Sequence, residues 1–429
     1  MHSVDMDLSI DKISKIEGHG QLDLKIRNGK VEELKFKITE NKRFYTKAIE
    51  GKPFIAAPSL MSRICGTCSI SHLLCCITAI ENALNYEPSE QIKVLRKLTT
   101  YGLMIRDHAL HLYFFSLPDV FEKDSILDFD PNNKKEHDMV HEAFAVKSAG
   151  NNLSKAIAGK AVHAPFPMVG GFTKIPDKET IKKSITELKE VRPLVFNLMR
   201  IFEEWPYALK RKTTFVAQKS KDFSFMDGPI VTTDGETIDK DKYTDYLERV
   251  VIPYSTATGY NFKKGNYFVG ALARLNLNKE ALHPNTKKDA ARFLKWFPSD
   301  NVFDNNLAQA IEILHAIDHS IELLEKTEFK PEKLTIIKPK KCSGTGVVEA
   351  PRGTLYYKVD INETGVITHT DVIVPTQQNQ INIEHDIKHF VEQNLTLNKE
   401  KMALEIEKII RAYDPCMSCA THFLKINWL

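Results

Sequence analysis

The sequence carries two Cys-x-x-Cys pairs, Cys65-Gly66-Thr67-Cys68 near its start and Cys416-Met417-Ser418-Cys419 near its end. A two-residue gap lets both sulfurs of a pair reach one metal from a single turn, because it matches the helical repeat. Together the pairs offer four thiolates, the ligand type that suits zinc, an iron–sulfur cluster or a soft transition-metal centre. Spacing alone does not choose among these, and either pair taken singly fits a structural zinc or a redox disulfide. A zinc ribbon brings in its second pair within about 15–20 residues, so that the metal stabilises a small knuckle. Here nearly the whole chain lies between the pairs, which ties its beginning to its end across a large core and suits a buried catalytic site better.

Other residues able to do chemistry also have plain readings. Glu17 sits in a charged N-terminal segment, as a solvated acid would. Asp119 after Pro118 can cap a turn, and Asp414 before Pro415 fits a turn start. Arg352, between Pro351 and Gly353, reads as a surface arginine at a β-turn. His108 and His111 on an apolar helix are expected to be satisfied core histidines rather than a metal pair. Cys75, Cys76 and Cys342 have no partner spacing and are expected to be buried small hydrophobes.

Bulk properties narrow the classes. A chain of 429 residues that is 42% hydrophobic can bury a large core. Its 59 lysines and arginines nearly balance 56 aspartates and glutamates, without a basic run interleaved with aromatics, so nucleic acid is not an expected partner. The first twenty residues mix charge into every apolar stretch, unlike a secretory signal, and no apolar run is long enough for a membrane span. Seven cysteines, an odd number, then point to a reducing compartment, and cytoplasm is the expected location.

The elements that must position these residues are mainly helical. Residues 20–39 read as a hairpin turning at Asn28-Gly29. Apolar steps of three and four predict helices over 57–83 and 90–115, flanking the first cysteine pair, then over 136–158. A helical stretch over 177–211 is expected to break at Pro193 and Pro206. Residues 213–260 read as short strands and loops inserted on the helical body. Leu307, Ala310, Ile313, Leu314, Ile317, Ile321 and Leu324 mark a core helix. A second β region of two or three strands spans roughly 347–374, and helices over 383–395 and 398–413 deliver the chain to Asp414. The expected class is α+β, mainly α, a long-helix bundle core with two smaller β regions, near the N-terminus and before the C-terminus. One domain over 1–429 divides into a hairpin region (1–40), a helical core (41–212), an insertion (213–300) and a closing part (301–429) with helix, β region and metal-binding segment.

Context lifts the cysteine pairs above chance. Ser62-Arg63-Ile64 precedes the first pair and His72 follows it; Asp414-Pro415 precedes the second and His422 follows. These segments resemble the signatures of the large subunit of nickel–iron hydrogenases. Further stretches resemble that family in the family's order: residues 16–20, His108 to Tyr113 with Leu117-Pro118-Asp119, Val162-His163 with Val169-Gly170-Gly171, Leu272 to Asn276, Glu349 to Gly353, and Val374-Pro375-Thr376. No single segment is specific, but their joint occurrence is.

The resemblance implies a nickel–iron centre with Cys65 and Cys416 as terminal nickel ligands and Cys68 and Cys419 bridging to iron. The iron would carry carbon monoxide and two cyanides, cradled by Pro351, Arg352, Pro375 and Thr376, with His72 donating to a bridging sulfur. Heterolytic cleavage of hydrogen needs a Lewis acid and a nearby base. The resemblance offers Cys416 for the proton with Glu17 as first relay, and places Arg352 above the open metal position, held by Asp119 and Asp414. Which group is the kinetic base stays open.

The match departs from the family at Thr46, where a glutamate usually helps the C-terminal histidine hold a magnesium or iron ion. A hydroxyl is a poor substitute for a carboxylate at a hard cation. The precursor is often cut after that histidine, and residues 423–429 follow His422 here. Three thiols outside the two pairs cannot hold an iron–sulfur chain, so an iron–sulfur small subunit must carry electrons away. The expected activity is a hydrogenase exchanging hydrogen with protons and electrons. The compact length and the Arg43-Phe44 and Leu117-Pro118-Asp119 variants most resemble the soluble group that works with NAD(P) or a similar carrier, and with no G-x-G-x-x-G here any nucleotide would bind a further, diaphorase-like subunit. Three rivals stay open: a hydrogen sensor of low turnover, a non-catalytic descendant related as complex I subunits are, and a zinc-stabilised protein.

Overall fold

Strand Gly20–Arg27 turns through Asn28 and Gly29, both at positive φ (52° and 70°), into strand Lys30–Ile38. This is the expected hairpin, its two-residue turn matching the twist of the flanking strands. A strand not expected from the alternation, Met6–Ile10, adds to it antiparallel, with Leu8 opposite Leu24. The structure, a computed structural model, describes residues 5–263 and 265–421.

Helix Glu90–Ala109 packs against both Lys134–Ala158 and Asp304–Lys326. The last buries the apolar face read from its spacing, yet Gln309, Glu312 and His315 are buried as well. A helix covered on all sides must satisfy its polar side chains internally. Gln309 donates to Asp414 at 3.0 Å, and Glu312 binds Arg274, which donates to Pro351 O beside Arg352.

Three helices depart from the expected extents. Residues 57–83 are not continuous: helix Ala57–Met61 and a 3-10 turn, Ser62–Ile64, lead to an extended Cys65 (φ −147°), and helix resumes at Ser69–Leu84. The first cysteine pair therefore lies on a loop entering a helix. Helix Glu90–Ala109 passes into a π turn over Leu110–Ser116 ahead of Pro118, whose ring cannot follow a regular α turn. The stretch from 177 divides at Pro193 into Lys178–Val191 and Val195–Glu204, then stops, so residues 205–211 are not helical. Pro206 forces the residue before it out of the α region.

Short strands fill the region after 213, and Tyr267–Phe268 returns to pair parallel with Thr214–Gln218. The helix that follows, Ala271–Asn278, carries the fully buried Arg274. The late β region is an antiparallel meander, Cys342–Ala350, Gly353–Ile361 and Ile367–Ile373, whose first turn is Pro351-Arg352. Helix Ser69–Leu84 crosses this sheet so closely that a Cβ on Gly346 would lie 2.5 Å from the Cys75 carbonyl oxygen.

Helix Pro375–Gln393 begins well before residue 383, with Pro375 in its first turn and the Gln377 side chain accepting from Val374 N–H. Its first turns are polar yet buried, which hid the helical period. Gln378 donates to Thr354 O, Asn379 to Val269 O and Gln380 to Phe36 O. Helix Lys399–Ala412 then leads to Asp414. Among the described residues, no helix is long and apolar enough to cross a membrane.

Candidate metal centre

The two ends of the chain meet in a short parallel bridge between Glu17 and Cys416, where Met417 N–H donates to Glu17 O at 2.9 Å. Gly18, at φ +83°, permits this approach, since a Cβ there would lie 2.8 Å from Met417 Cβ. The bridge brings the second cysteine pair against the loop that holds the first. The four Sγ atoms of Cys65, Cys68, Cys416 and Cys419 lie within 4.8 Å of one another, all buried. Cys416 Sγ is 3.0 Å from Cys419, 3.3 Å from Cys65 and 3.9 Å from Cys68.

Two buried or half-buried arginines fix the cysteine loops from behind. Arg106 Nη2 donates to Thr67 O at 2.6 Å, and Arg43 Nη2 donates to Ser418 O at 2.5 Å. Hydrogen bonds from Cys416, Cys419 and Cys68 push the Cys65 thiol well down, while burial pushes Cys416 and Cys419 well up. Ionisation is thus favoured at Cys65 and opposed by burial at Cys416 and Cys419. A cation of soft character would let all four ionise, because thiolates bound to metal lose their protons. The donor set therefore fits nickel or another thiolate-seeking metal.

Several expected residues surround the sulfurs. Glu17 Oε2 lies 3.0 Å from Cys416 Sγ and accepts from Ser418 N–H at 3.1 Å. Burial, aided by the charge on Cys65, pushes the Glu17 carboxyl up against the hydrogen bonds that pull it down. His72 Nε2 is 3.4 Å from Cys419 Sγ, and its Nδ1 is 2.7 Å from the Tyr357 hydroxyl. The Thr376 hydroxyl oxygen accepts from Cys416 N–H at 2.9 Å, which leaves its hydrogen to donate. Pro351 and Pro375 are buried at the Arg352 turn and at the start of the helix that carries Thr376.

Arg352 is buried rather than a surface residue. Its Nη1 donates to Asp107 at 2.6 Å and stands 3.3 Å from Cys68 Sγ; its Nη2 donates to Asp414 at 2.9 Å. Burial works against its charge, but Asp107, Asp414 and the sulfurs outweigh that and raise its pKa well above the usual range.

The expected contact between Asp119 and Arg352 is not made. Asp119 instead binds Arg411 Nε at 2.6 Å and Lys15 Nζ at 2.7 Å, and Asp107 takes the place beside Arg352. The reason is the π turn, which intervenes between the two aspartates and carries Asp119 away toward helix Lys399–Ala412. There it joins the segment leading to Glu17, through Lys15, with the helix leading to Asp414, through Arg411. Sequence reading missed Asp107, Arg106 and Tyr357. The available signal was Arg106-Asp107, two ionisable residues that directly follow the uncharged stretch 98–105, where charge is tolerated only with partners.

His108 and His111 are core histidines: His108 bonds Glu312 at 2.9 Å, and His111 bonds Gln309 at 2.6 Å and Arg411 O at 2.8 Å. Cys75 and Cys76 are fully buried, but Cys342 is only partly so, because it starts the meander at the edge of the structure. Thr46 is buried in the short helix Tyr45–Ile49. His422, the proposed third-metal ligand, and the tail at 423–429 lie outside the described residues.

Comparisons with known proteins agree with this geometry. The model of the family described as nickel-dependent hydrogenase matches residues 45–151 and 206–422. Sulfhydrogenase 1 subunit alpha of Pyrococcus furiosus is 32% identical, over 99% of this chain and 100% of that one. The subunit beta of the NAD-reducing hydrogenase HoxS of Cupriavidus necator is 28% identical, over 97% of this chain and 95% of that one. A crystal structure of an NAD+-reducing [NiFe]-hydrogenase in the H2-reduced state superposes with a TM-score of 0.84 at 25% identity, covering 98% of this chain and 100% of that one.

Proposed function

The chain belongs to the nickel-dependent hydrogenase family, and from that membership we propose that it is the catalytic subunit of a nickel–iron hydrogenase, cleaving hydrogen reversibly and heterolytically. In this reading Cys65 and Cys416 would hold nickel as terminal ligands, and Cys68 and Cys419 would hold it together with an iron bearing carbon monoxide and two cyanides. That centre supplies a Lewis-acidic, redox-active position for the electron pair of hydrogen.

The side chains do the rest. Cys416 Sγ and Glu17 Oε2, 3.0 Å apart, form the first step of a proton path. The raised carboxyl of Glu17 suits a group that must hold and release a proton. Arg352 keeps a fixed positive charge at the centre, and Asp107 and Asp414 hold its plane. The Thr376 hydroxyl and the arginine supply donors for cyanide, with Pro351 and Pro375 excluding water.

The observation that carries the proposal is the convergence of four buried thiols from both ends of the chain beside one carboxyl and one guanidinium. Electrons leave through an iron–sulfur small subunit, since Cys75, Cys76 and Cys342 do not cluster with the centre. Further diaphorase-like subunits pass them to NAD(P) or another soluble carrier, a reading supported by the NAD-reducing relative and the NAD+-reducing solved structure.

The test is elemental analysis, infrared spectroscopy and hydrogen-dependent dye reduction on the complex purified without oxygen. One nickel per chain, bands of carbon monoxide and cyanide on iron, and dye reduction are expected. Zinc in place of nickel, or bands absent from active protein, overturns the proposal.

A further inference from the structure

Tyr357 lies in the strand Gly353–Ile361, fully buried, and its hydroxyl is 2.7 Å from His72 Nδ1. The other ring nitrogen of His72, Nε2, faces Cys419 Sγ at 3.4 Å. The two rings meet edge to face, with centroids 6.0 Å apart. The imidazole therefore sits between a phenol and a ligand sulfur.

With Cys419 a metal-bound thiolate, only one assignment of hydrogens satisfies this line of three. If His72 carried its proton on Nδ1, it would donate to the phenol oxygen, and a bare Nε2 lone pair would face a thiolate. Two electron-rich atoms would then repel, and the buried phenol hydrogen would need another acceptor. If Tyr357 donates to Nδ1, the proton sits on Nε2 and points at the sulfur. Every donor then has an acceptor, and the bond to sulfur is charge-assisted.

We propose that Tyr357 is a positioning residue that fixes the tautomer of His72, so that Nε2–H donates to Cys419 and draws electron density from that thiolate. The inference rests on the nickel–iron reading, in which Cys419 bridges to iron. A hydrogen bond to a bridging thiolate weakens its donation to the metal, and the diatomic ligands on iron report that donation directly. An outer partner that orients a histidine tunes a metal site in this way without touching it.

Tyr357→Phe keeps the buried ring and removes one oxygen. In the oxygen-free complex, the carbon monoxide and cyanide bands are expected to move to lower wavenumber, as the sulfur becomes a better donor, with nickel content unchanged. His72→Gln supplies a donor that has no tautomer to choose. In that background Tyr357→Phe is expected to leave the bands where His72→Gln put them. Bands unmoved by Tyr357→Phe in the wild-type background, or moved equally in both backgrounds, overturn the proposal while the nickel–iron reading stands. Absence of the bands from the wild-type complex overturns that reading and this proposal together.

Discussion

Asp107 and Arg352 form a fully buried ion pair, 2.6 Å from Oδ2 to Nη1, that joins the end of a core helix to the first turn of the late β meander. The same Nη1 stands 3.3 Å from Cys68 Sγ, so the carboxylate sets where positive charge meets the sulfurs. Asp107→Asn keeps the shape and removes the charge. Hydrogen oxidation is expected to fall by about 10–100-fold, the usual cost of losing an outer partner at a metal site, with nickel retained. Asp119→Asn, which loosens Arg411 and Lys15 instead, is expected to lower stability while sparing turnover per nickel more than Asp107→Asn does. Dye-reduction rates normalised to nickel for both variants separate the two aspartates; equal losses would return Asp119 to the site.

Glu17→Gln tests the proton path. The amide can still accept from Ser418 N–H, so the bridge between the chain ends is expected to survive. It cannot carry a proton, and turnover is expected to fall by about 10²–10⁴-fold, the range for losing a positioned acid–base group. Nickel content and the infrared bands should match the wild type. A variant with wild-type turnover would place the proton exit elsewhere.

Much of this site is legible in the primary structure, and what escapes does so for identifiable reasons. The cysteine pairs, Glu17, His72, Arg352, Asp414 and Thr376 stand out because each lies in a short segment with a recognisable neighbour pattern. Asp107 and Tyr357 do not, since one is among several charged residues of a long helix and the other alternates normally in a strand. Their importance comes from partners hundreds of residues away, at Arg352 and at His72. The hairpin and the long helices follow from period, whereas Pro375–Gln393 starts with a buried amide cluster that period alone reads as solvent-facing. Asp119 was expected beside Arg352 from the family resemblance alone, which carries no contact, and it binds Arg411 and Lys15 instead.

The close crossing of helix Ser69–Leu84 over the meander gives a packing prediction. Gly346→Ala would place a methyl 2.5 Å from Cys75 O and 2.6 Å from Ala79 N, both backbone atoms that cannot yield cheaply. A loss of about 1–3 kcal/mol is expected, the range for overpacking a core. Denaturant titration measures it. Because the same helix carries His72, the variant should also broaden the infrared bands; full stability would mean that the helix and sheet are free to separate.

His315 supplies a pH prediction remote from the metal. It is fully buried on helix Asp304–Lys326, with Nδ1 accepting from His283 N–H at 3.0 Å and Nε2 donating to Phe223 O at 3.0 Å. That pattern requires the neutral ring. Burial, reinforced by the neighbouring His319, lowers its pKa from 6.5 to about 3. In the unfolded chain the ring takes up a proton as pH falls through its ordinary value, while the folded ring stays neutral until near 3. Its contribution to stability is therefore complete above pH 6.5 and is lost progressively between 6.5 and about 3. The slope from this one group is about 1.4 kcal/mol per pH unit within that window. Denaturant titrations of the wild type and His315→Gln at pH 7.5, 6, 5 and 4.5 test it. Glutamine can keep both hydrogen bonds and does not titrate, so its stability should fall less steeply with acid, and parallel curves would show that His315 charges as freely in the folded chain as in the unfolded one.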